Sequence, residues 1–370
     1  MIHLLKKFQI NCFLFLLAIL TTNLAVAHSN ESTLETENYP VFDELNDTIC
    51  CPNLCGSPIS FELSATLLYL KPNVDDSHYV LSSFDNTFNG SLYPKGKRHQ
   101  NSVSFKPGFR VEGLYDICPD TSCLDLRYTY FNAHSKDSVS GDFLFDTNGF
   151  PGFGSQDSPV YAGTARSNNS YNFSAGDITY NRNFTCFFPD NLTFIVGLHA
   201  AYIKFKEHTT STGTFISNDA VKPLSNNLHR NSQFCGVGPQ IGVDYQFLLS
   251  SHCCLPGTWA LSAKTRGSLL CGNTKSNLRY VTLRTGPGGV GIHNGDLWRV
   301  IPSASTELGI NYILNCKCFS ATVDFGYEFM WYSRCVNKIT GLDVAFAGDT
   351  ADIFNSFSLH GPYLRISCAF

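Results

Sequence analysis

The pattern that decides the fold is clearest at residues 319–331, which read Phe-Ser-Ala-Thr-Val-Asp-Phe-Gly-Tyr-Glu-Phe-Met-Trp. Every odd-numbered side chain in this stretch is apolar or aromatic, and the even-numbered ones include Thr322, Asp324 and Glu328. A period of two is typical of a β-strand with one apolar face. The stretch therefore predicts a strand whose odd-numbered side chains face an apolar medium.

The same alternation recurs from residue 60 to the end of the chain, and helical periodicity is nearly absent. In the fourth segment the alternation slips after Ala175, which predicts a β-bulge near Gly176. The segments are longer than the roughly five or six residues of globular strands, and they suit tilted strands that cross a membrane in about 9 to 11 residues. The predicted strands are about 60–71, 103–116, 122–133, 171–182, 192–206, 234–249, 258–271, 298–313, 319–331 and 355–370.

The predicted connections between these strands alternate in length. Outer-membrane barrels have short periplasmic turns and long outer loops, and they close on themselves because every backbone group in lipid needs a partner within the protein. The brief connections are 117–121, 184–191, 250–257 and 314–316, and the long ones are 73–100, 134–169, 207–233, 272–297 and 333–354.

These properties together predict an all-β fold, a transmembrane antiparallel up-and-down β-barrel of 10–12 strands with short periplasmic turns and long outer loops. The count rises to twelve if residues 142–145 and 160–164 form further strands. A soluble secreted β-sandwich is the alternative, but it would have shorter strands and no regular alternation of connection length.

Composition excludes several classes of protein. The formal net charge is -4 and there is no basic run, which argues against a nucleic-acid partner. After the first thirty residues no apolar run reaches the length of about 18 residues that a membrane-spanning helix needs.

Residues 286–291 fit a dinucleotide-binding pattern, but they contain Pro287 and lack a strand-to-helix context. His134, His208 and His293 have no Ser and Asp at an interpretable spacing, so we expect no enzyme, cofactor or metal.

The N-terminus has the order of a secretory signal peptide. Lys6 and Lys7 precede an apolar run at 12–20, and Ala25-Val-Ala27 provides a cleavage site. We therefore expect residues 1–27 to be removed, residues 28–59 to form a Cys-containing periplasmic segment, and residues 60–370 to form the barrel in the outer membrane of a Gram-negative bacterium.

The cysteines are concentrated at one end of the predicted barrel. Of the 15 cysteines, Cys12 leaves with the signal peptide, and export to an oxidising compartment favours disulfides. Zinc is disfavoured because paired C-x2-C units are lacking. We predict a periplasmic disulfide platform, with bonds within the chain and bonds to neighbouring proteins both left open. Its candidate residues are Cys50, Cys51, Cys55, Cys118, Cys123, Cys186, Cys253, Cys254, Cys316 and Cys318.

If the apolar faces point to lipid, a set of charged side chains with balanced signs points into the lumen. Eight strands leave an interior that side chains fill and sixteen leave a channel, so ten strands predict at most a narrow pore or one closed by ion pairs. The candidate lumen-lining residues are Lys106, Arg110, Glu112, Asp125, Arg127, Asp244, Lys264, Arg266, Glu307, Asp324, Glu328 and Arg365.

Several short blocks resemble the porin-like major outer membrane proteins of the Legionella and environmental-chlamydia type. The blocks are Ala65-Thr-Leu-Leu-Tyr-Leu-Lys-Pro72, residues 234–244, 268–272, 302–309 and 326–329, and His360-Gly-Pro-Tyr-Leu-Arg-Ile-Ser-Cys-Ala-Phe370. The resemblance implies a monomeric or trimeric barrel, disulfide cross-links between envelope proteins, and a terminal Phe370 that the barrel-assembly machinery reads.

Two functions follow as expectations. The first is passive diffusion of small polar solutes combined with disulfide-based stabilisation of the envelope. The alternative is a structural or adhesive barrel without a conducting pore. The expected partners are outer-membrane lipid, the barrel-assembly machinery, and a further copy of the chain or disulfide-linked envelope proteins.

Overall fold

The computed structural model describes residues 61–75, 77–83, 96–118, 122–146, 160–183, 191–217, 220–249, 257–284, 289–315, 320–341 and 350–369. The predicted signal peptide, the predicted periplasmic segment and Phe370 lie outside the described residues. None of the described residues belongs to a helix long and apolar enough to cross a membrane.

The described chain consists almost entirely of β-strands. They are β1 (Phe61–Val74), β2 (His78–Ser83), β3 (Gly96–Gln100), β4 (Lys106–Cys118), β5 (Ser122–Asp146), β6 (Val160–Asn183), β7 (Asn191–Ser217), β8 (Ala220–Leu248), β9 (Gly257–Arg284), β10 (Gly289–Asn315), β11 (Ser320–Gly341) and β12 (Thr350–Ala369).

Ten of these strands form a closed antiparallel barrel. Its order is β5-β4-β1-β12-β11-β10-β9-β8-β7-β6, and pairing of β6 with β5 closes the ring. The predicted barrel architecture is confirmed, with ten strands. Residues 142–145 and 160–164 are strand, but they extend β5 and β6 instead of adding to the ring. The short strands β2 and β3 form a hairpin that pairs only with the outer end of β5.

The predicted bulge near Gly176 is wrong. The pairing of β5 with β6 runs without a shift through Tyr128↔Gly176 and Arg127↔Asp177. The inward face of β6 changes from apolar at Phe173 and Ala175 to polar at Asp177, while the face itself stays the same. In the sequence, this change from apolar to polar residues on one face looks the same as a one-residue shift of the apolar alternation.

Of the long connections predicted at the outer end, 134–169, 207–233, 272–297 and 333–354 consist mostly of strand instead of loop. β7 and β8, for example, stay paired up to Ser217↔Ala220. We call the parts of the strands that extend outward beyond the membrane the arms. Their sequences are rich in Ser, Thr and Asn, and the inward face mixes polar residues with apolar ones such as Leu228 and Leu278, so no regular apolar alternation marks them, although Thr suits a strand well.

A belt of exposed apolar side chains surrounds the barrel. Soluble proteins bury such a surface, and a lipid-facing band flanked by aromatic girdles is typical of outer-membrane barrels. Phe61 of β1, Ala369 of β12 and the strand ends that the brief connections join lie at one end of the belt and the arms at the other, which sets the periplasmic and outer sides. The belt includes Leu67, Leu126, Ile178, Val196, Ile241, Leu269, Leu308, Phe325 and Ile366, with Phe61, Tyr115, Tyr180, Phe247 and Trp259 below and Tyr69, Phe109, Trp298 and Tyr327 above.

Inside the belt, a pair of glycines makes room for a buried tyrosine. Gly309 of β10 pairs with Gly326 of β11, and the ring of Tyr363 from β12 lies against both. The Tyr363 hydroxyl donates to Asp324 Oδ2 at 3.1 Å. A Cβ atom on Gly326 would overlap the carbonyl oxygen of Leu308 and lie 2.7 Å from the Tyr363 hydroxyl.

We expect Gly326→Val to lower the free energy of unfolding by about 1–3 kcal/mol, because the added side chain overpacks this contact. Gly267→Val is the matched control, since a Cβ on the outward-facing Gly267 has its nearest described neighbour at 3.9 Å. Urea unfolding in lipid vesicles, followed by tryptophan fluorescence, measures both. Equal effects of the two substitutions would contradict the packing argument.

Candidate functional site

A layer of charged side chains fills the lumen at the level of the apolar belt. Because side chains alternate along each strand, outward Phe109, Leu126 and Ile178 place their charged neighbours inward. We call this set the charged layer. It comprises Arg110, Glu112, Asp125, Arg127, Asp177, His199, Asp244, Lys264, Arg266, Glu307, Asp324, Glu328 and Arg365.

Glu307 of β10 is the most connected carboxylate in this layer. It accepts hydrogen bonds from Arg110 Nη1 at 3.0 Å, from Arg127 Nη1 at 2.8 Å and from Arg365 Nη2. Arg110 also donates to the carboxylate of Glu328. β5, which carries Arg127, lies five strands from β10 in the ring, so this contact crosses the lumen.

Asp177 of β6 organises a second group in the charged layer. Arg127 Nε donates to it at 2.8 Å, and His199 Nδ1 lies 2.6 Å from its other oxygen. The opposite ring nitrogen of His199 is 3.1 Å from the hydroxyl of Tyr332 on β11. Arg266 donates to Asp125 at 3.1 Å, which links β9 to β5.

Lys264 completes the layer on the periplasmic side. Its Nζ lies 3.5 Å from Glu112 Oε1 and 3.7 Å from Asp244 Oδ2. Arg365 lies between Glu112, at 4.0 Å, and Asp324, at 3.7 Å. Every cation of the charged layer thus has at least one carboxylate partner, as burial in a low dielectric requires.

The structure brings together all the predicted lumen residues except one. Lys106 lies at the outer start of β4, is half-buried, and forms no ion pair with the residues described. Asp177 and His199 were not among the predicted residues, although continuing the alternation of β6 through Gly176 finds Asp177. The buried pair of Arg230 Nη1 and Glu207 Oε2, at 2.6 Å, lies in the arms and was also missed.

An apolar layer closes the lumen directly outward of the charged layer. Phe173 of β6 lies 5.6 Å, between ring centroids, from Tyr332 of β11, and 6.1 Å from Phe357 of β12. β6 and β11 are opposite each other in the ring, so the two walls meet. The buried members of this layer include Leu70, Phe131, Phe173, Ile203, Phe234, Leu270, Ile301, Met330, Tyr332 and Phe357.

The outer mouth is crossed by residues 335–339 of β11, which we call the mouth segment. The register between β11 and β12 shifts after Tyr332, where Arg334 adopts a left-handed φ of 49°. The segment then leans inward and is buried. The Asn337 amide N–H donates to Ser232 Oγ of β8 at 2.9 Å, and its side-chain amide donates to Ser276 Oγ of β9 at 3.0 Å.

A small cavity lies where the charged layer meets the apolar layer. Within the part of the chain that the structure describes, a cavity of about 20 Å³ lies among Arg127, His199, Arg266 and Tyr332. That is space for about one water molecule. No group of three or more possible metal ligands occurs among the described residues.

Five cysteines among the described residues carry free thiols. They are Cys123, Cys235, Cys271, Cys335 and Cys368. Cys123, for which the sequence predicts a disulfide, pairs across its two neighbouring strands with Asp116 and Asn181. The other disulfide candidates lie outside the described residues, apart from Cys118, which ends β4.

A family model described as Legionella pneumophila major outer membrane protein precursor matches residues 55–370. The chain belongs to this family. The protein is accordingly a multi-pass β-barrel of the Gram-negative outer membrane. No curated protein matches the chain significantly.

Solved structures of outer-membrane barrels are similar at low identity. The outer membrane protease OmpT from Escherichia coli is 10% identical, with 84% of this chain and 96% of that chain covered and a TM-score of 0.39. A Pseudomonas aeruginosa FadL homologue is 8% identical, with 84% and 90% covered and a TM-score of 0.23. The Pseudomonas putida toluene transporter TodX is 8% identical, with 85% and 90% covered and a TM-score of 0.19.

We expect Glu307→Gln to lower the free energy of unfolding by about 3–5 kcal/mol, because three buried guanidinium groups lose their shared negative charge. Asp296→Asn is the control, since its pair with Lys275 is exposed and 3.9 Å long and should contribute less than about 1 kcal/mol. Both values come from urea unfolding of the folded protein in vesicles. Similar losses would show that the charged layer does not hold the barrel together.

Proposed function

We propose that this protein is a structural, non-enzymatic barrel of the outer membrane with a closed lumen. The observation that carries the proposal is that opposite walls meet in successive layers. Arg127 bonds Glu307 across the charged layer, Phe173 contacts Tyr332 across the apolar layer, and Asn337 reaches β8 and β9 at the mouth.

The energetics of opening favour this reading. A path for a polar solute would have to separate several buried ion pairs, and breaking one such pair while its partner stays buried costs about 3–5 kcal/mol. It would also have to expose the rings of the apolar layer to water. A ten-stranded ring is only slightly wider than an eight-stranded one, whose interior side chains fill, so the walls leave little room for rearrangement.

A second candidate, passive diffusion of small polar solutes, rests on a different observation. Several polar atoms of the lumen have no hydrogen-bond partner among the described residues, including Asp125 Oδ1, Glu112 Oε2, Gln240 Oε1 and Glu328 Oε2. Buried polar atoms without partners are usually satisfied by water. A hydrated charged layer would let ions or small solutes pass if the apolar layer and the mouth segment move aside.

Planar-bilayer recordings separate the two candidates. For a closed barrel, we expect no discrete conductance steps from wild type, from Phe173→Ala or from the lipid-facing control Phe325→Ala, because the charged layer and mouth segment remain in all three. A diffusion pore would give steps in wild type, larger ones in Phe173→Ala and unchanged ones in Phe325→Ala. An open porin recorded in parallel, and heat-dependent gel migration of each variant, show that the bilayers and the folds are sound.

We further propose that the periplasmic cysteines join this barrel to neighbouring envelope proteins. The position of the cysteines in the chain supports this. Cys118 ends β4, Cys186 lies between β6 and β7, and Cys316 lies between β10 and β11. The strand ends that these connections join lie at the same end of the barrel as Phe61 of β1 and Ala369 of β12. Recognition of Phe370 by the barrel-assembly machinery is likewise a proposal, since a strand of alternating apolar residues leads up to it.

Replacing Cys50, Cys51 and Cys55 together by Ser should reduce disulfide-linked intermolecular species on non-reducing gels about tenfold. Serine has no thiol, so these three positions can no longer take part in thiol–disulfide exchange with a neighbouring protein. Replacing Cys235 and Cys271 by Ser is the control, since both are exposed at the outer edge of the apolar belt. A wild-type protein that migrates as a monomer without reductant would refute the proposal.

A further inference from the structure

The arms of β5 to β9 present one continuous outward face above the apolar belt. Strand pairing aligns residues from the five strands in rows, one of which is Lys136–Asn168–His208–His229–Arg279. Three further rows lie alongside it, from Asn132 to Lys275, from His134 to Asn277 and from Ser138 to Val281. We call these four rows the outer cationic face.

The charge of this face is opposite to that of the whole chain, which has a formal net charge of -4. The four rows contain no Asp or Glu, and their side chains point away from the lumen. Histidines at 134, 208 and 229 lie in the same rows. The permanent cations of the face are Lys136, Arg166, Lys204, Lys206, Lys275 and Arg279.

These cations have almost no negative partner within the protein. Of the six, only Lys275 has a carboxylate within ion-pair distance in the described ranges, the exposed Asp296 at 3.9 Å. Elsewhere at the outer end, the strands that complete the ring carry exposed carboxylates at Asp75, Asp296 and Asp352. The six cations therefore form one cluster of positive charge on this side of the barrel, where an external anion can supply the missing partners.

The face is shaped by two adjoining hollows. One, of about 520 Å³, is lined by Lys136, Arg166 and His208 among others, and the other, of about 300 Å³, by His229 and Arg279. The rings of His208 and His229 stack between them with centroids 3.9 Å apart. Burial, together with nearby His208 and Arg279, lowers the pKa of His229.

One carboxylate, that of Asp137, lines the larger hollow. Its oxygens are engaged by neighbours, because the Tyr79 hydroxyl donates to Oδ2 at 3.1 Å and the backbone N–H of Ser138 donates to Oδ1 at 2.9 Å. Asp137 also belongs to the inward-facing series of β5, so it is not part of the outer cationic face. The hollow therefore keeps its excess of cationic groups.

The height of the face identifies the source of the anion. It begins one step outward of Tyr130, Tyr202 and Cys235, which lie in the adjacent row at the outer edge of the apolar belt. This is the level of the lipid headgroups on the outer side of the membrane. In Gram-negative bacteria that leaflet consists of a phosphorylated glycolipid, and five neighbouring strands span about 19 Å, enough to meet more than one phosphate.

We propose that the outer cationic face binds the phosphate groups of the outer-leaflet glycolipid. Arg and Lys are the side chains that recognise phosphate, and clustered cations at a membrane surface each contribute about 1 kcal/mol to binding anionic headgroups. The Asn, Ser and Thr residues between them add hydrogen bonds to sugar hydroxyl groups. The face lies outside the lumen, so the proposal does not depend on whether the lumen is open or closed.

The test measures binding of purified lipopolysaccharide to the full-length folded protein in neutral detergent, followed by native gel shift. We expect the triple variant Lys136→Gln, Arg166→Gln, Arg279→Gln to bind at least about tenfold more weakly. The matched control is Lys97→Gln, Arg98→Gln, Lys106→Gln, which removes the same charge elsewhere at the outer end and should bind within about twofold of wild type. The single variant Arg166→Gln gives a second measurement if the triple variant fails to fold.

Two further binding measurements identify the ligand. Enzymatically dephosphorylated lipopolysaccharide should bind as weakly to wild type as the intact form binds to the triple variant. Inorganic phosphate at millimolar concentration should fail to displace the intact form. Equal binding of the triple variant and its control, undiminished binding of the dephosphorylated form, or full displacement by inorganic phosphate would each overturn the proposal.

Discussion

The carboxylate of Glu307 holds together strands that are far apart in the sequence and on different sides of the barrel. Three guanidinium groups reach it from β4, β5 and β12. Arg110 and Arg127 are almost fully buried at the level of the lipid belt, where an unpaired charge is very costly. Further contacts of the charged layer follow from this requirement, because Arg110 has a donor left over for Glu328 and Arg127 has one for Asp177.

The same requirement gives the lumen its layered order. Charged groups occupy the level of the belt, where they pair across a narrow space. Aromatic and aliphatic groups occupy the level above, where Phe173 and Tyr332 meet from opposite walls. At mid-membrane, paired charges therefore lie inside the barrel and apolar side chains outside it. Higher up, the inside is apolar and the outside of β5 to β9 carries the outer cationic face.

The fold was predictable from sequence where lipid imposes a period of two. Phe325 and Tyr327 face lipid while Asp324 and Glu328 face inward, so ten strands and their faces were identified. The arms were not, because a stretch such as Thr-Thr-Ser-Thr-Gly-Thr at 209–214 is hydrophilic on both faces. Alternation also reports which face a residue occupies but not which residue it meets across a lumen. The ion pairs of the charged layer and the inward lean of β11 after Arg334 depend on how the barrel closes. They could not be predicted from the sequence.

The unbroken register between the arms of β7 and β8 limits how the protein can change over evolution. β7 and β8 remain in step from Asn191↔Gln246 to Ser217↔Ala220. One residue inserted within an arm would turn every later side chain to the other face, moving Lys206 inward and Glu207 outward. Related proteins should therefore differ along these arms by substitution, or by length changes of two residues, and single-residue length variation should be confined to the connection between Ser217 and Ala220.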